Sequence, residues 1–402
     1  MTTRRSILQT AIGGLALAGG GLAGRVVRAG LPSGAIESGT LETLSGKQPL
    51  IKRSYRPPNY ETPVAYFGDV ITPNNRFFVR WHLMNIPLVE PAAWRLGVGG
   101  DGATLEFELS LEQLQHDFEP VEVVAVCQCA GNRRGLSDPH VPGVEWGYGA
   151  MGNARWKGAR LKDILARAGL RKEAIEIAFN GGDSPPLEVT PDFVKSIPTW
   201  KALEENVLVA YEMNGAPLPH WNGFPARIVV PGWTATYWMK QVVSIRALTQ
   251  PLNNFWMNPA YRVPKGKFPL IDRFVSQESE TTTPVTEMVV NSLITSITDG
   301  QRFGSNKPVM VKGIAWDGGD GIRRVEVSVD EGRSWQAAEL GADLGRFSFR
   351  PWQFAFKPQA KGALYVMARA SNAQGSTQVS ELIFNGPGYH NNVPHKVGIQ
   401  IV

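Results

Sequence analysis

The chain has 402 residues, 43% of them apolar and 19% charged, a balance that excludes a disordered protein and allows two domains. Its formal charge of +5 gathers at the start: residues 1–29 hold Arg4, Arg5, Arg25 and Arg28 and no acid, so without them 37 basic residues (41 − 4) face 36 acidic ones. A nucleic-acid partner thereby loses its main support.

Residues 1–29 read as a twin-arginine export signal, with Arg4-Arg5 ahead of a glycine-rich apolar run that ends in VRA at Val27–Ala29. That run is too short for a comfortable membrane span, and no later segment is uninterruptedly apolar over the required length of about 18 residues. The expectation is a periplasmic protein, exported folded by the twin-arginine route, with no membrane span in its mature form. Residues 30–71 are proline-rich and read as an extended N-terminal arm.

From residue 72 the pattern is mixed. RFFVRWHLMNI is a strand candidate, LSLEQLQHDF a short helix capped by Ser110, and VEVVAV a β-branched strand. RLKDILARAGL is an amphipathic helix with apolar Leu161, Ile164 and Leu165 and a stop at Gly169. PARIVVPG is another strand. After about residue 275 short alternating strands follow one another: PVMVKGIAWD, IRRVEVSVD, FSFRPWQFAF and ALYVMARAS, with turns such as DGGDG between them. That spacing predicts a β-sandwich of immunoglobulin size over 276–402, behind a domain over 72–275. The fold class is α+β. Glycine (43) and proline (29) favour such short strands and many turns over long helices, and twelve tryptophans suit β-rich cores and pockets.

The two cysteines of the chain stand together in VCQCAGNRRG, residues 126–135. Three readings are open. A disulfide between Cys127 and Cys129 is strained, because residues two apart on a strand have Cα atoms about 6.5–7 Å apart. Both can be small buried hydrophobes at a strand end. Or one is a metal thiolate, for which Cys129 is favoured: small residues follow it, and Arg133 and Arg134 favour the thiolate. Two thiols cannot build a Cys₄ site, and no C-x-x-C-H haem-attachment motif occurs, so no haem is expected in this chain. A lone thiolate needs a metal whose other ligands come with an organic cofactor.

CAGNRR at Cys129–Arg134, then GVEW, then GARLKDIL, resemble the molybdenum domain of the sulfite oxidase family. The resemblance implies that Cys129 ligates molybdenum held by a molybdopterin dithiolene. FVRWH resembles the first cofactor-binding segment of that family, bringing Phe78, Arg80 and His82, with Arg80 toward an oxyanion substrate. FNGGDSP brings Asp183 to the position of a pterin-binding aspartate. NGFPARIVVPG places Arg227 on a family arginine, and Asn222 where animal members often have histidine. WMK matches a segment that holds the pterin phosphate, with Trp238 and with Lys240 as the charge partner. FWMNPAYR places Tyr261 on an active-site tyrosine, and Trp146 of GVEW matches a tryptophan lining the substrate pocket. A lysine that some animal members carry just before GVEW is missing; Pro142 is nearest. VPHKV puts Lys396 where animal members have an anion-pocket arginine, keeping the charge without the planar fork.

What the resemblance implies is a sulfite-oxidase-type molybdopterin domain followed by an immunoglobulin-like dimerisation domain, and so a homodimer. The implied activity is oxidation of sulfite to sulfate at molybdenum. Arg80 and Arg134 would hold the oxyanion, and Tyr261 would bond the reacting oxygen or move its proton. The short stretch between the leader and the first motif leaves no room for a haem domain, so the expected acceptor is a separate c-type cytochrome. Related readings are the sulfane dehydrogenase subunit of thiosulfate-oxidising complexes, periplasmic sulfoxide reductases and plant nitrate reductases. A non-enzymatic secreted binding protein is the remaining one.

Overall fold

A computed structural model describes residues 39–268 and 273–402. The export-signal reading of residues 1–29 lies outside the described residues. Secondary structure is mostly short strands, as the glycine and proline content demands.

The chain opens with a four-stranded antiparallel sheet of β1 (Leu41–Glu42), β2 (Leu50–Ser54), β3 (Asn59–Glu61) and β4 (Val79–Arg80). Part of the segment expected as an extended arm is therefore folded. It pairs with the chain that follows, Asn59 opposite Arg80 and Tyr60 opposite Val79, and closes a small core of Leu50, Tyr60, Val79 and Trp81. Only two residues of RFFVRWHLMNI form strand. The reason is burial without alternation: Phe77, Phe78, Val79 and Trp81 are all buried, so the segment runs between two packed layers instead of presenting one face. The Glu61 carboxylate, also buried, accepts from the backbone N–H of Gly147 and of Gly149, both at 2.8 Å, and from Arg53 Nε at 2.7 Å.

Next come β5 (Leu96–Gly99), β6 (Phe107–Leu109) and α1 (Leu111–His116), whose Ser110 cap and Gln113 form a reciprocal capping box. β7 (Pro120–Gln128) pairs along its whole length with β8 (Met151–Arg160), which runs into α2 (Leu161–Arg167). That helix buries Leu161, Ile164 and Leu165 and stops at Gly169, which has φ +65. The N-terminal half is completed by β9 (Glu176–Gly181), β10 (Val194–Pro198), β11 (Leu208–Met213), β12 (Ala216–Pro217), β13 (Arg227–Val229) and β14 (Val242–Leu248). One sheet has the order β10-β9-β14-β5-β6, with β14 and β5 parallel; the other runs β12-β11-β8-β7, with β13 on β11.

A two-stranded ribbon, β15 (Arg262–Pro264) and β16 (Thr282–Pro284), leads to the C-terminal half. There β17 (Asn291–Ile294), β18 (Arg302–Phe303), β19 (Val309–Trp316), β20 (Ile322–Ser328), β21 (Gln336–Ala337), β22 (Glu339–Leu340), β23 (Arg350–Phe356), β24 (Gly362–Asn372) and β25 (His395–Ile401) make two facing sheets. Their orders are β17-β19-β23-β22 and β18-β25-β24-β20-β21, and Val311, Val325, Val327, Val366, Val397 and Ile399 fill the space between them.

The two halves are locked together beside the cysteine loop. Phe67, Val126 and Met151 from the first half share a core with Leu293, Trp316 and Phe349 from the second. Trp316 Nε1 donates to Gln128 Oε1 at 2.7 Å. The Arg133 guanidinium, 1% exposed, donates to Asn291 Oδ1 at 2.7 Å, Val393 O at 2.8 Å and Ser292 O at 3.1 Å. Its charge is thus spent on the interface between the halves, not on favouring the Cys129 thiolate.

Arg133→Met keeps the apolar stem and strands those three acceptors. The expected result is a loss of about 3 kcal/mol of unfolding free energy, read in urea denaturation as a lower midpoint. An unchanged midpoint would show that the interface holds without the guanidinium.

Candidate functional site

Cys129 sits one residue beyond β7, where the chain leaves the sheet. Its N–H donates to Ala150 O at 2.9 Å and its C=O accepts from Asn132 N–H at 2.9 Å, while Asn132 Oδ1 accepts from Ala150 N–H at 3.0 Å. These bonds close the Cys-Ala-Gly-Asn loop and aim the thiol into a cavity lined by Arg80, His82, Arg227 and Lys240. Cys127 and Cys129 are both free, so the disulfide reading is excluded.

Ten of the residues singled out in the sequence line this one cavity: Phe78, Arg80, His82, Cys127, Cys129, Asn222, Arg227, Trp238, Lys240 and Tyr261. Two clusters can be told apart. In the first, Arg80 faces the Tyr261 phenol and the Cys129 thiol; burial works against its charge, and those two neighbours more than offset it. His82 Nε2 and the Tyr261 hydroxyl are hydrogen-bond partners. The imidazole stacks on Phe193 at 3.5 Å between ring centres, 11° from parallel. Burial, then the charges of Arg80, Lys240 and Lys195, hold His82 well below its usual pKa and so neutral. Burial raises the Tyr261 phenol, which therefore stays protonated.

In the second cluster, Arg227 Nη1 donates to Asn222 O at 3.0 Å, and Nη2 to Trp238 O at 3.2 Å and toward Cys127 Sγ at 3.7 Å. Lys240 Nζ lies 4.4 Å from the Trp81 ring centre. Burial first, then the Arg227 charge, bring Lys240 down to about 7. Asp183, 7% exposed, lies within electrostatic reach of Lys240 but off the cavity wall, and burial lifts its carboxyl to about 6.

Arg134 and Trp146 stand behind the wall. Arg134 Nε donates to Pro387 O at 2.7 Å, and the guanidinium lies 5.2 Å from the Tyr389 ring centre. It passes so close to Gly131 and Gly143 that a Cβ at either would meet guanidinium atoms at 2.7–2.8 Å. Trp146 is fully buried, packed edge-on against Phe78 at 6.5 Å, so its contact with the cavity is through Phe78 and not its own ring. Lys396 is corrected outright. It lies on β25 in the sandwich, 3.2 Å from Glu331 Oε2 and 3.8 Å from the Tyr365 ring centre, away from the cavity, because alternation on that strand turns it outward while His395 turns in.

Three residues of the site carry no motif that the sequence could have flagged. Phe193 stacks on His82; Lys195 lies 5.0 Å from the Tyr261 ring centre; Tyr389 stacks on Tyr261 at 5.6 Å, 8° from parallel. Tyr389 comes from a loop of the C-terminal half, and only its neighbour Gly388, at φ +64, hints that GYHNN holds a fixed shape.

A molybdopterin fits what these residues offer. His82 Nδ1, Arg227 Nε and Thr236 Oγ1 are buried on cavity residues without a hydrogen-bond partner. Among the described residues no ion pair joins Arg80, Arg227 or Lys240 to a carboxylate within 4 Å. Also among them, no group of three or more His, Cys, Asp or Glu could hold a metal by itself. A polar anion that brings its own metal ligands answers all three facts.

Comparison with known proteins agrees. Residues 83–256 match the family model described as an oxidoreductase molybdopterin binding domain, and 282–402 that of a Mo-co oxidoreductase dimerisation domain. Sulfite oxidase from Gallus gallus is 35% identical over 338 residues, covering 81% of this chain and 72% of that protein. The chain belongs to the sulfite oxidase family of molybdenum-cofactor oxidoreductases. It is 36% identical to the mitochondrial sulfite oxidase of Rattus norvegicus over 364 residues, 87% of this chain and 65% of that protein, so it spans about two thirds of the length of that relative. A nitrate reductase [NADH] from Hordeum vulgare is 28% identical over 387 residues, 90% of this chain and 41% of its own. In fold, the sulfane dehydrogenase SoxCD from Paracoccus pantotrophus superposes with a TM-score of 0.75 at 23% identity, covering 95% of this chain and 94% of that one.

Cofactor-free protein gives a pH test. Asp183 has a folded pKa of about 6 against an ordinary 3.8. Between those values the folded protein holds a proton that the unfolded chain has released, so this group's contribution to stability is full below pH 4 and is lost as pH rises through 6. Asp183→Asn should match the wild type near pH 4 and exceed it by about 3 kcal/mol above pH 6. Urea titrations across that range measure it, and a pH-independent difference would refute the burial argument.

Proposed function

We propose that this protein is a periplasmic sulfite dehydrogenase, exported by the twin-arginine route. It converts sulfite and water to sulfate, two protons and two electrons, and passes the electrons singly to a separate c-type cytochrome. The observation that carries the reading is Arg80, a half-buried guanidinium facing Cys129 and Tyr261 in one cavity. The identity with animal sulfite oxidases supports sulfite as the substrate. The arginine-paired leader and the near-neutral remainder of the chain support export. In this reading the sandwich pairs two copies of the chain.

Cys129 would hold the molybdenum, with Arg227, Lys240, Asn222, Asp183, Phe78, Trp238 and His82 around the pterin. Bound there, the cofactor supplies the two-electron and oxygen-transfer chemistry. Arg80 presents paired N–H donors to the sulfite oxygens, a geometry that a guanidinium holds without reorganising. Arg134 adds charge from behind Tyr389, where its field reaches Tyr261. The protonated Tyr261 hydroxyl donates to the oxygen being transferred, and neutral His82, held flat against Phe193, fixes that hydroxyl. Phe78, backed by Trp146, closes the pocket against bulk water.

The deciding assay is sulfite-dependent reduction of ferricyanide and of cytochrome c by purified protein, beside thiosulfate and nitrate. The expected outcome is turnover with sulfite alone. Near-total loss is expected in Cys129→Ser with the fold retained, and a KM for sulfite raised roughly 10- to 100-fold in Arg80→Met. Turnover of sulfane sulfur without sulfite oxidation would instead favour the sulfane dehydrogenase reading and overturn this one.

A further inference from the structure

The loop between β1 and β2 packs behind the cofactor cavity although it precedes both matched family regions. Lys47 is 6% exposed there. Its Nζ donates to Asn222 Oδ1 at 2.5 Å and to Asn74 O at 2.6 Å. Two residues earlier, Ser45 O accepts from Trp221 Nε1 at 3.0 Å, so the loop is fastened to both Trp221 and Asn222, which line the cavity. Among the described residues no carboxylate pairs with Lys47 within 4 Å.

The chemistry of the Asn222 amide follows from those partners. Burial brings Lys47 down to about 7, and its Nζ, which also donates to the Asn74 carbonyl, faces the Asn222 amide as a donor, so the atom turned to it is the oxygen. The other atom, Nδ2, gives one hydrogen to Phe78 O at 3.1 Å. An amide nitrogen carries two hydrogens, and the second remains for whatever occupies the cavity. Freed from Lys47, the same amide could turn and offer its oxygen, which repels an anion.

Arg227, through Asn222 O, and Lys240, whose Cα lies 3.2 Å from a Cβ built on Gly223, crowd around the same turn. Two cations and an amide donor suit the most highly charged group of a molybdopterin, its terminal phosphate. We propose that Lys47 is a positioning residue for that phosphate: it fixes Asn222 as a donor toward the cavity and sets a third cation behind it. The N-terminal loop thereby does what a histidine at position 222 would do by itself. This inference rests on the cofactor alone and is independent of the substrate.

Two variants of the full-length protein test it, with molybdenum per chain, oxidised-pterin fluorescence and the rate of cofactor release on dilution as readouts. Lys47→Met removes the donor and keeps the stem. Cofactor release should be roughly tenfold faster or more, beyond the loss of stability that the two stranded acceptors, Asn222 Oδ1 and Asn74 O, cause in the cofactor-stripped form. Asn222→Asp separates positioning from bracing. The aspartate keeps the pairing with Lys47 but has no N–H for a phosphate or for Phe78 O, so cofactor should be lost, while the stripped form loses no more stability than that one bond supplies. Should Asn222→Asp hold cofactor as wild type does, Lys47 is a structural strut and the proposal falls; wild-type release from Lys47→Met sinks it equally. Absence of sulfite turnover leaves both readouts intact, so the two proposals fail separately.

Discussion

Positive charge buried without a matching negative charge governs this molecule. Arg80, Arg227 and Lys240 line one cavity, Lys47 lies just behind it, and Asp183, itself held toward neutrality by burial, is the carboxylate within their reach. A chain gains nothing in stability from such an arrangement, since Arg227 and Lys47 have left water, Arg80 and Lys240 have partly done so, and all four have found chiefly carbonyls and ring faces. The cavity makes physical sense only when filled by an anion. The unpartnered nitrogens of His82 and Arg227 point the same way. The fold therefore reads as a mould whose energetic balance is completed by its cofactor.

The loop after β7 shows how neighbouring residues can serve opposite ends. Cys129 faces the cavity, whereas Arg133, at φ +68, turns its guanidinium into the C-terminal half. Arg134 doubles back over Gly131 and Gly143 to reach Tyr389. The thiol is placed by backbone bonds to Ala150 and Asn132, and the backbone is held in turn by Arg133. The geometry at the thiol thus depends on a domain that contributes no residue to the cavity lining.

Much of this was legible in the sequence, and the reasons are physical. Motif residues that line the cavity are spaced by strand ends and tight turns, so they are recognisable as short words: CAGNRR, FVRWH, NGFPAR, WMK. The helices over Leu111–His116 and Leu161–Arg167 announced themselves through an N-cap serine and a glycine stop. Lys396 misled because a lysine in the right word on an edge of alternation faces whichever side the strand register dictates, and here register sends it to Glu331. Lys47, Lys195 and Tyr389 were invisible because their partners are distant in sequence: Lys47 and Asn222 are separated by 175 positions. The arm looked irregular because its strands are two to five residues long and borrow β4 for their last partner.

The stack of Tyr389 on Tyr261 carries a consequence for how the molecule comes into being. The segment that covers the outer face of the tyrosine emerges from the ribosome about 130 residues after it, when every cavity-lining side chain has already been synthesised. Translation order therefore leaves Tyr261 without its stacking partner until the last stage of synthesis, so the final setting of the active-site phenol waits on the C-terminal half.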